Sequence, residues 1–260
     1  MCYDDNAHPP LPPQGNGSAR GEDIVLTAAD GNRFSAFAAH PSTPTGTQIV
    51  IYPDVRGLHQ FYKELAMRFA ETGIATVAMD YFGRTAGLTA RDDESFDFRS
   101  HLPQLKAQNV YADAHASLEY LKTNVGAASN PSFTVGFCLG GSLSLYTGSE
   151  DMGLAGVIAF YAGLSRVFDE TKGTVLEAAN KIKVPVLGLF GGADQGIPPE
   201  QVQQLDEQLD KAGVSHEIIS YPGAPHSFFD RKAVEFANES ADAWQRVLSF
   251  IAEQKQEVAV

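Results

Sequence analysis

The chain has 260 residues, of which 43% are hydrophobic and 20% charged, and its formal net charge is −13. This is the composition of an ordinary globular protein, and the length allows one large domain or two small ones. So acidic a chain is poorly suited to nucleic acid or to an anionic membrane surface, because both carry dense negative charge. We therefore expect no nucleic acid and no membrane as partners.

Cys2 and Cys138 are the only cysteines. They are too few for a disulfide framework, and no His/Cys spacing predicts a zinc site, so we expect neither a metal nor another cofactor. The N-terminus lacks the basic and apolar segments of a signal peptide, and no run of about 18 apolar residues predicts a transmembrane helix. A reducing cytoplasm is the expected location.

Residues 1–21 are rich in Pro, Gly and Asp, and we expect them to form an N-terminal arm that is either docked or flexible. No linker divides residues 22–256, which predicts a single domain. This domain opens with a predicted hairpin, because Ile24 and Leu26 alternate with polar neighbours and Asp30-Gly31 provides a turn signal.

Apolar runs and helical spacings alternate along the rest of the chain. The runs 48–55, 74–80 and 133–137 predict strands covered on both faces, and further strands are predicted over 154–162, 184–192 and 216–223. Helices are predicted over 58–72 and 104–123, after residue 138, around 202–212 and around 244–251, while 81–103 reads as a long polar loop. This order predicts an α/β protein with a mainly parallel sheet and helices on both faces.

Three residues with catalytic side chains follow predicted strands. Cys138 follows the strand "FTVGF", Asp194 follows "VPVLGLFGG", and His226 follows "HEIISYPG". Functional groups gather beyond the carboxyl ends of the strands in open α/β sheets. The order nucleophile, acid, histidine is that of the α/β-hydrolase fold, so we expect this fold and a catalytic triad.

The segment "GFCLG" has the G-x-C-x-G pattern of a nucleophile elbow with sulfur in place of oxygen. So tight a turn leaves little room two residues before and after the nucleophile, and Gly136 and Gly140 relieve both clashes. The turn would also aim the Leu139 amide at an oxyanion. An unperturbed thiol has a pKa of about 8.5, and the helix N-terminus and a His partner would both favour the thiolate.

Each residue alone has a simpler explanation. Cys138 could be a buried filler of the core, Asp194 an ordinary turn residue, and His226 a histidine of a surface loop. The three together, each at a strand end and in hydrolase order, favour catalysis.

The sequence resembles the dienelactone hydrolase family over about residues 22–252. The segments that carry the resemblance are "YPDVRGLHQFYKELAMRFAETGIATVAMDYFGR", "VGFCLGGSLSLY", "FGGADQGIP" and "YPGAPHSFF". The resemblance implies a Cys-His-Asp triad of Cys138, His226 and Asp194, with an oxyanion hole formed by the amides of Leu139 and Val55. It also implies that Asp54, where the family has a longer acid, holds and activates the resting thiol; an ordinary loop carboxylate is the alternative.

The family grips a substrate carboxylate with arginines, one of them two residues after the phenylalanine of "HSF". This sequence has Asp230 there, with Arg231 beside it. A second arginine would come from the long loop. The candidates for it are Arg84 and Arg99, which we favour, and Arg56 and Arg91. Phe137, Phe228 and Phe229 would line an apolar wall or belong to the core.

These features predict a cofactor-independent hydrolase of lactones or small carboxylic esters that forms a thiol ester on Cys138. One alternative is a carboxylesterase or thioesterase of broader specificity, for which Asp230 argues. Another is a non-catalytic or redox-sensing protein with a reactive Cys138, for which Cys2 would be the resolving thiol. The expected partner is a small ester or lactone, and the sequence predicts no oligomeric state.

Overall fold

A central sheet of eight strands organises the computed structural model, which describes residues 6–13, 15–92, 96–124 and 130–258, with side chains to Lys255. The strand order across this sheet is β1-β2-β4-β3-β5-β6-β9-β10, and β7 and β8 form a separate pair. The strands are β1 (Ala19–Thr27), β2 (Arg33–Pro41), β3 (Gln48–Tyr52), β4 (Ala75–Met79), β5 (Ser132–Phe137), β6 (Gly156–Phe160), β7 (Val167–Asp169), β8 (Gly173–Thr174), β9 (Val186–Gly191) and β10 (His216–Tyr221).

The sheet is parallel from β4 to β10 and antiparallel at its start. Strands β1 and β2 form the predicted hairpin, in register with Ile24 opposite Ala36, and β2 runs antiparallel to β4. The turn contains Asp30-Gly31, where Gly31 has a φ of 85°. Every residue of β3, β4, β5, β6 and β9 is buried, so both faces of the sheet are covered. The predicted mainly parallel α/β architecture is confirmed.

Eight α-helices connect and cover the strands in the described part of the chain. They are α1 (Gln60–Glu71), α2 (Gly83–Ala86), α3 (Phe98–His101), α4 (Ala107–Asn124), α5 (Leu139–Thr147), α6 (Val175–Ala178), α7 (Pro199–Ala212) and α8 (Ala237–Val258). The long ones present apolar residues at helical spacing, and α1 buries Phe61, Leu65 and Phe69 on one face. Among the described residues, none of these helices combines the length and hydrophobicity that a membrane span requires.

The segment 81–103 is not the single long loop that its polarity predicts. Helices α2 and α3 interrupt it, and Arg91 anchors the stretch between them. The Arg91 guanidinium lies 2.7 Å from Asp80 and 4.5 Å above the ring centre of Phe96, with only 1% of its side chain exposed. A buried cation needs such a partner, so a residue that looks like a solvated charge in the sequence is part of the framework here.

The described part of the N-terminal arm contacts the domain. Trp244 on α8 donates its Nε1 hydrogen to the carbonyl of Pro10 at 2.9 Å, and Gly17 bonds to Glu71 through its backbone. Strand β1 already begins at Ala19, inside the segment that we expected to be an arm. Cys2 lies outside the described residues.

Candidate active site

A sharp turn between β5 and α5 holds Cys138. Its backbone has a φ of 55° and a ψ of −112°, and its amide donates to the carbonyl of Phe160 at 3.1 Å. A Cβ on Gly136 would lie 1.9 Å from the Gly140 carbonyl oxygen, and one on Gly140 would lie 2.1 Å from that of Tyr52. No side chain fits at either position. The turn therefore requires both glycines, and it leaves Cys138 half-buried at the sheet edge.

Backbone strain is concentrated at this edge. Cys138, Tyr161 (φ 35°) and Ser227 (φ 61°) are the non-glycine residues with positive φ in the described part of the chain. They follow β5, β6 and β10, which are parallel strands whose carboxyl ends meet at the same edge. Such conformations persist only where the surroundings over-determine them, and they cluster at functional sites.

Asp194 and His226 are joined by a short hydrogen bond beside this turn. Nδ1 of His226 lies 2.6 Å from Oδ2 of Asp194. The other oxygen of Asp194 accepts the Gly196 amide at 2.8 Å. The Asp194 side chain is 2% exposed and that of His226 is 25% exposed. The carboxylate thus fixes the orientation of the imidazole while one part of the ring reaches solvent.

A cavity of about 690 Å³ brings the candidate residues together. Cys138, Asp194 and His226 line it, as do Val55 and Leu139. Its remaining lining residues come from α5, from the turn after β6, from the β9–α7 loop and from the β10–α8 loop: Ser142, Gly163, Leu164, Ser165, Arg166, Ala193, Gln195, Gly196, Ile197, Pro225 and Arg231. This volume suits a small organic molecule.

Asp54 is buried in the loop between β3 and α1, next to Val55. Its Oδ1 accepts the backbone amide of Arg56 at 2.9 Å and lies 3.4 Å from Nε2 of His59. The Tyr81 hydroxyl bonds to the Asp54 carbonyl. These contacts hold the loop from both sides, and they keep the Val55 backbone at the wall of the cavity.

The structure does not bring the arginines that we favoured from the sequence to this cavity. Arg84 is held by Asp113 at 2.8 Å and by Asp30 at 2.5 Å, beside α4. Burial raises the pKa of Asp113 to about 6, against the opposing effect of Arg84. Arg99 lies over the ring of Phe98 on α3, and Arg56 is a buried residue of the loop that contains Asp54. Arg84 and Arg56 thus belong to the framework, which the sequence pattern did not indicate, whereas Arg99 is exposed.

Two other arginines line the cavity. Arg166 lies at its exposed rim, in the segment between β6 and β7 that we had not singled out. Arg231 lies deeper, and its Nε is buried without a hydrogen-bond partner among the described residues. No motif marks Arg166, because a surface arginine between two strands has no sequence signal of its own.

Phe137 and Phe228 are core residues. Both are 0% exposed, and neither belongs to the cavity lining. Phe137 stacks on Phe160 with ring centres 4.6 Å apart, and Phe228 packs edge-on against Tyr161. The sequence left open whether these residues line an apolar wall or belong to the core, and the structure places both in the core.

Asp230 occupies the position where the resemblance implies an arginine. Its side chain is buried, and its Oδ2 accepts the Tyr161 hydroxyl at 2.8 Å. Burial, together with the charge of Asp54, raises the pKa of Asp230 to about 8. This position therefore supplies a buried acid rather than a cation.

One group of described side chains could hold a metal ion, and it lies away from the cavity. Asp206 and Asp210 on α7 face His216, whose Nε2 is 3.2 Å from Asp206. His216 begins β10, whereas the cavity lies beyond the carboxyl ends of the strands. The two carboxylates are exposed, and they form the ordinary surroundings of a surface histidine.

The mostly parallel sheet, with a cavity beyond its carboxyl edge and a strained strand-to-helix turn, defines an α/β-hydrolase. The profile of the dienelactone hydrolase family matches residues 34–255, and the chain belongs to this family. It is thus a hydrolase that acts on ester bonds in small molecules.

Similar proteins cover most of the chain. A "putative carboxymethylenebutenolidase" of Synechocystis is 28% identical over 206 residues, which are 76% of this chain and 82% of that protein. Another of the same description, from Salmonella typhimurium, is 26% identical over 88% of this chain and 86% of its own length. The crystal structure of a "putative dienelactone hydrolase" from Klebsiella pneumoniae superposes with a TM-score of 0.79 at 24% identity and covers 90% of this chain and 99% of its own.

A further solved structure shares the fold at lower identity. It is a dienelactone hydrolase-like promiscuous phosphotriesterase from metagenomic libraries, with a TM-score of 0.75 and 21% identity, covering 92% of this chain and 99% of its own.

Proposed function

We propose that this protein hydrolyses lactones or small carboxylic esters, with Cys138 as the nucleophile, His226 as the general base and Asp194 as the residue that orients His226. One observation carries the proposal. The strained, half-buried Cys138 shares a cavity with an imidazole whose Nδ1 is bound to a buried carboxylate at 2.6 Å. That arrangement matches the roles of an activated nucleophile, its base and the orienter of the base.

The chemistry proceeds in two halves. His226 accepts the thiol proton through Nε2, and the sulfur attacks the substrate carbonyl to give a tetrahedral oxyanion. The backbone amides of Leu139 and Val55, at the start of α5 and after β3, donate hydrogen bonds to this oxyanion. The C–O bond then breaks, the alkoxide takes the proton from His226, and a thiol ester remains on Cys138.

Water completes the cycle. Neutral His226 removes a proton from a water molecule, which attacks the thiol ester through a second oxyanion, and the thiolate leaves. In a lactone the alcohol stays tethered to the acyl group and can attack it in reverse. Rapid release of the thiol ester is therefore part of efficient turnover.

We further propose that Asp54 acts on this chemistry by shaping the oxyanion loop. Its contacts are to the Arg56 amide and to His59, and its backbone carbonyl accepts the Tyr81 hydroxyl. A carboxylate so engaged stabilises the backbone that presents the Val55 amide. This supports a loop role more directly than the activation of the resting thiol that the family resemblance implies.

The experiment that tests the proposal is the capture of the thiol ester. When the enzyme is quenched in acid during turnover of an activated aryl ester, intact-mass and peptide mass spectrometry should find one acyl group on the peptide that contains Cys138. The Cys138→Ala variant should carry none. Turnover of the ester with no adduct, or with the adduct at another residue that is needed for turnover, would contradict the Cys138 mechanism.

We propose that Arg166 and Arg231 hold an anionic group of the substrate. Both line the cavity, and the buried Nε of Arg231 has no hydrogen-bond partner among the described residues. A buried donor without a partner is costly, and a bound anion would satisfy it.

Arg231→Ala should raise KM for a carboxylate-bearing aryl ester by about tenfold or more, since a hydrogen bond to a charged group contributes about 1.5–3 kcal/mol. KM for the matched neutral ester should change by less than about twofold. The Arg166→Ala variant should also raise KM for the carboxylate-bearing ester more than for the neutral one, but by a smaller factor, because Arg166 is exposed. Arg99→Ala, which removes an arginine outside the cavity, is the control. Equal losses on both esters would argue against an anion subsite.

A carboxylesterase or thioesterase of broader specificity is the second candidate. Asp230 is a buried acid where the resemblance implies an arginine, and Arg84, Arg99 and Arg56 lie outside the cavity lining. The dienelactone hydrolase-like neighbour described as a promiscuous phosphotriesterase also accommodates another ester class on this fold. If neutral esters and thioesters are turned over as fast as anionic lactones, this candidate is the better description.

A further inference from the structure

Behind His226 lies a second carboxyl group that the mechanism above does not use. Asp230 is 6% exposed, its Oδ2 accepts the Tyr161 hydroxyl at 2.8 Å, and its Oδ1 accepts its neighbour's amide, that of Arg231. Both oxygens therefore have donors, as an ionised carboxylate would require. Yet the group is buried, and a negative charge is costly there.

Tyr161 links this acid to the imidazole. Its ring lies against that of His226 with centroids 4.9 Å apart, and its hydroxyl is the donor to Asp230. The strained φ of 35° at Tyr161 is held in place by its amide, which bonds to Leu189 on β9 at 2.8 Å. The backbone thus fixes the ring between the two titratable groups.

Several charged and titratable groups interact with Asp230, Tyr161 or His226. They are Asp54 from the β3–α1 loop, Tyr62 from α1, Cys138 from the β5–α5 turn, Tyr161 after β6, Asp194 after β9, and Arg231 on the same loop as Asp230. Burial and the Asp54 charge raise the pKa of Asp230 to about 8, while His226 opposes this rise. At neutral pH the acid is thus mostly protonated.

We propose that Asp230 is a positioning residue that sets the charge around His226. In the working enzyme Asp230 is neutral, and Asp194 is the carboxylate that acts on the imidazole. At alkaline pH Asp230 ionises and adds a second negative charge on the far side of Tyr161. The importance of this for turnover rests on the proposed role of His226 as the base. A neutral Asp230 favours the neutral imidazole that removes a proton from water. An ionised Asp230 favours the imidazolium, which cannot do so.

The test is a pH titration by NMR in the Cys138→Ala background, where the thiol no longer contributes. In that protein the ¹³Cγ resonance of Asp230 should move near pH 8, and the imidazole resonances of His226 should show a second inflection over the same range. With Asp230→Asn added, the second inflection should vanish. Since the asparagine amide cannot ionise, the imidazole should then titrate in a single step.

The Tyr221–Asp242 pair provides a matched control. Tyr221 donates to Asp242 at the same 2.8 Å, but this pair lies at α8, and Arg246 holds the pKa of Asp242 below its usual value despite partial burial. The double variant Cys138→Ala/Asp242→Asn should therefore retain both inflections in the NMR titration curve of His226. Tyr161→Phe removes the donor to the Asp230 carboxylate and should move the Asp230 step to higher pH.

A stability measurement gives an independent readout. The native state binds the Asp230 proton more tightly than the unfolded chain, so the stability that Asp230 contributes decreases as pH rises from about 4 through 8. Asp230→Asn should remove this contribution and narrow the difference in Tm between pH 6 and pH 9, whereas Asp242→Asn should not.

Two results would overturn the inference. One is an Asp230 resonance that titrates near the ordinary aspartate range; the other is a His226 curve that Asp230→Asn leaves unchanged. Neither result depends on Cys138 being the nucleophile, because the thiol is absent from the proteins compared. Conversely, a Cys138→Ala protein that retained full turnover would refute the proposed function and leave the titration result standing.

Discussion

Cys138→Ala should lower kcat/KM for activated esters and lactones by on the order of 10³-fold or more, because it removes the atom that forms the covalent intermediate. His226→Ala should cost a similar factor, since the thiol would lose its base. The double variant should be little worse than either single one, because groups that act as a unit are strongly non-additive. Steady-state rates on an aryl ester and a lactone measure all three.

The other cysteine supplies the control for this experiment. Cys2→Ala removes a thiol at the N-terminus, far along the chain from the strand ends, and should leave kcat/KM within about twofold of the wild-type value. Circular dichroism and Tm should show that Cys138→Ala and His226→Ala fold normally. Wild-type rates in either folded variant would refute the mechanism, and a loss in Cys2→Ala would point to the arm.

Gly136→Ala should destabilise the fold by about 3 kcal/mol or more, because the new methyl group cannot be accommodated. The added Cβ would lie 1.9 Å from the carbonyl oxygen of Gly140 and 2.7 Å from the amide nitrogen of Gly141. Both atoms belong to the backbone of the first turn of α5, so the turn itself must move. Any protein that still folds should lose most of its activity, since Cys138 moves with that turn.

Gly163→Ala is the matched glycine for this comparison. It lines the cavity, but its added Cβ would meet only the Ser142 hydroxyl, at 3.6 Å, which is ordinary contact. Urea denaturation should place Gly163→Ala within about 1 kcal/mol of the wild type. If Gly136→Ala were equally stable, the turn would be more compliant than its geometry indicates.

The strand-helix order and the three residues at strand ends were predictable from the sequence. Both depend on local patterns: continuous apolar runs for covered strands, helical spacing for their connections, and glycines at fixed offsets around Cys138. Such patterns can be recognised without knowledge of the fold, because the periodicity of each element is local to its own residues.

The role of the charged residues was not predictable in this way. Arg91 and Arg84 read as candidates for a binding loop, yet Asp80 holds the first and Asp113 the second. Their partners are 11 and 29 residues away along the chain. The pairing of a side chain with a distant one depends on which elements pack together, and no local pattern records it.

The sequence by itself determined the class of sheet, the glycine-flanked turn at Cys138 and the chain order of Cys138, Asp194 and His226. Only the tertiary structure decided which arginines reach the cavity, and that Asp230 lies buried behind Tyr161. The physical reason is that a turn is governed by sterics over a few residues. The charge state and reach of a side chain depend instead on its burial and on partners that only folding brings near.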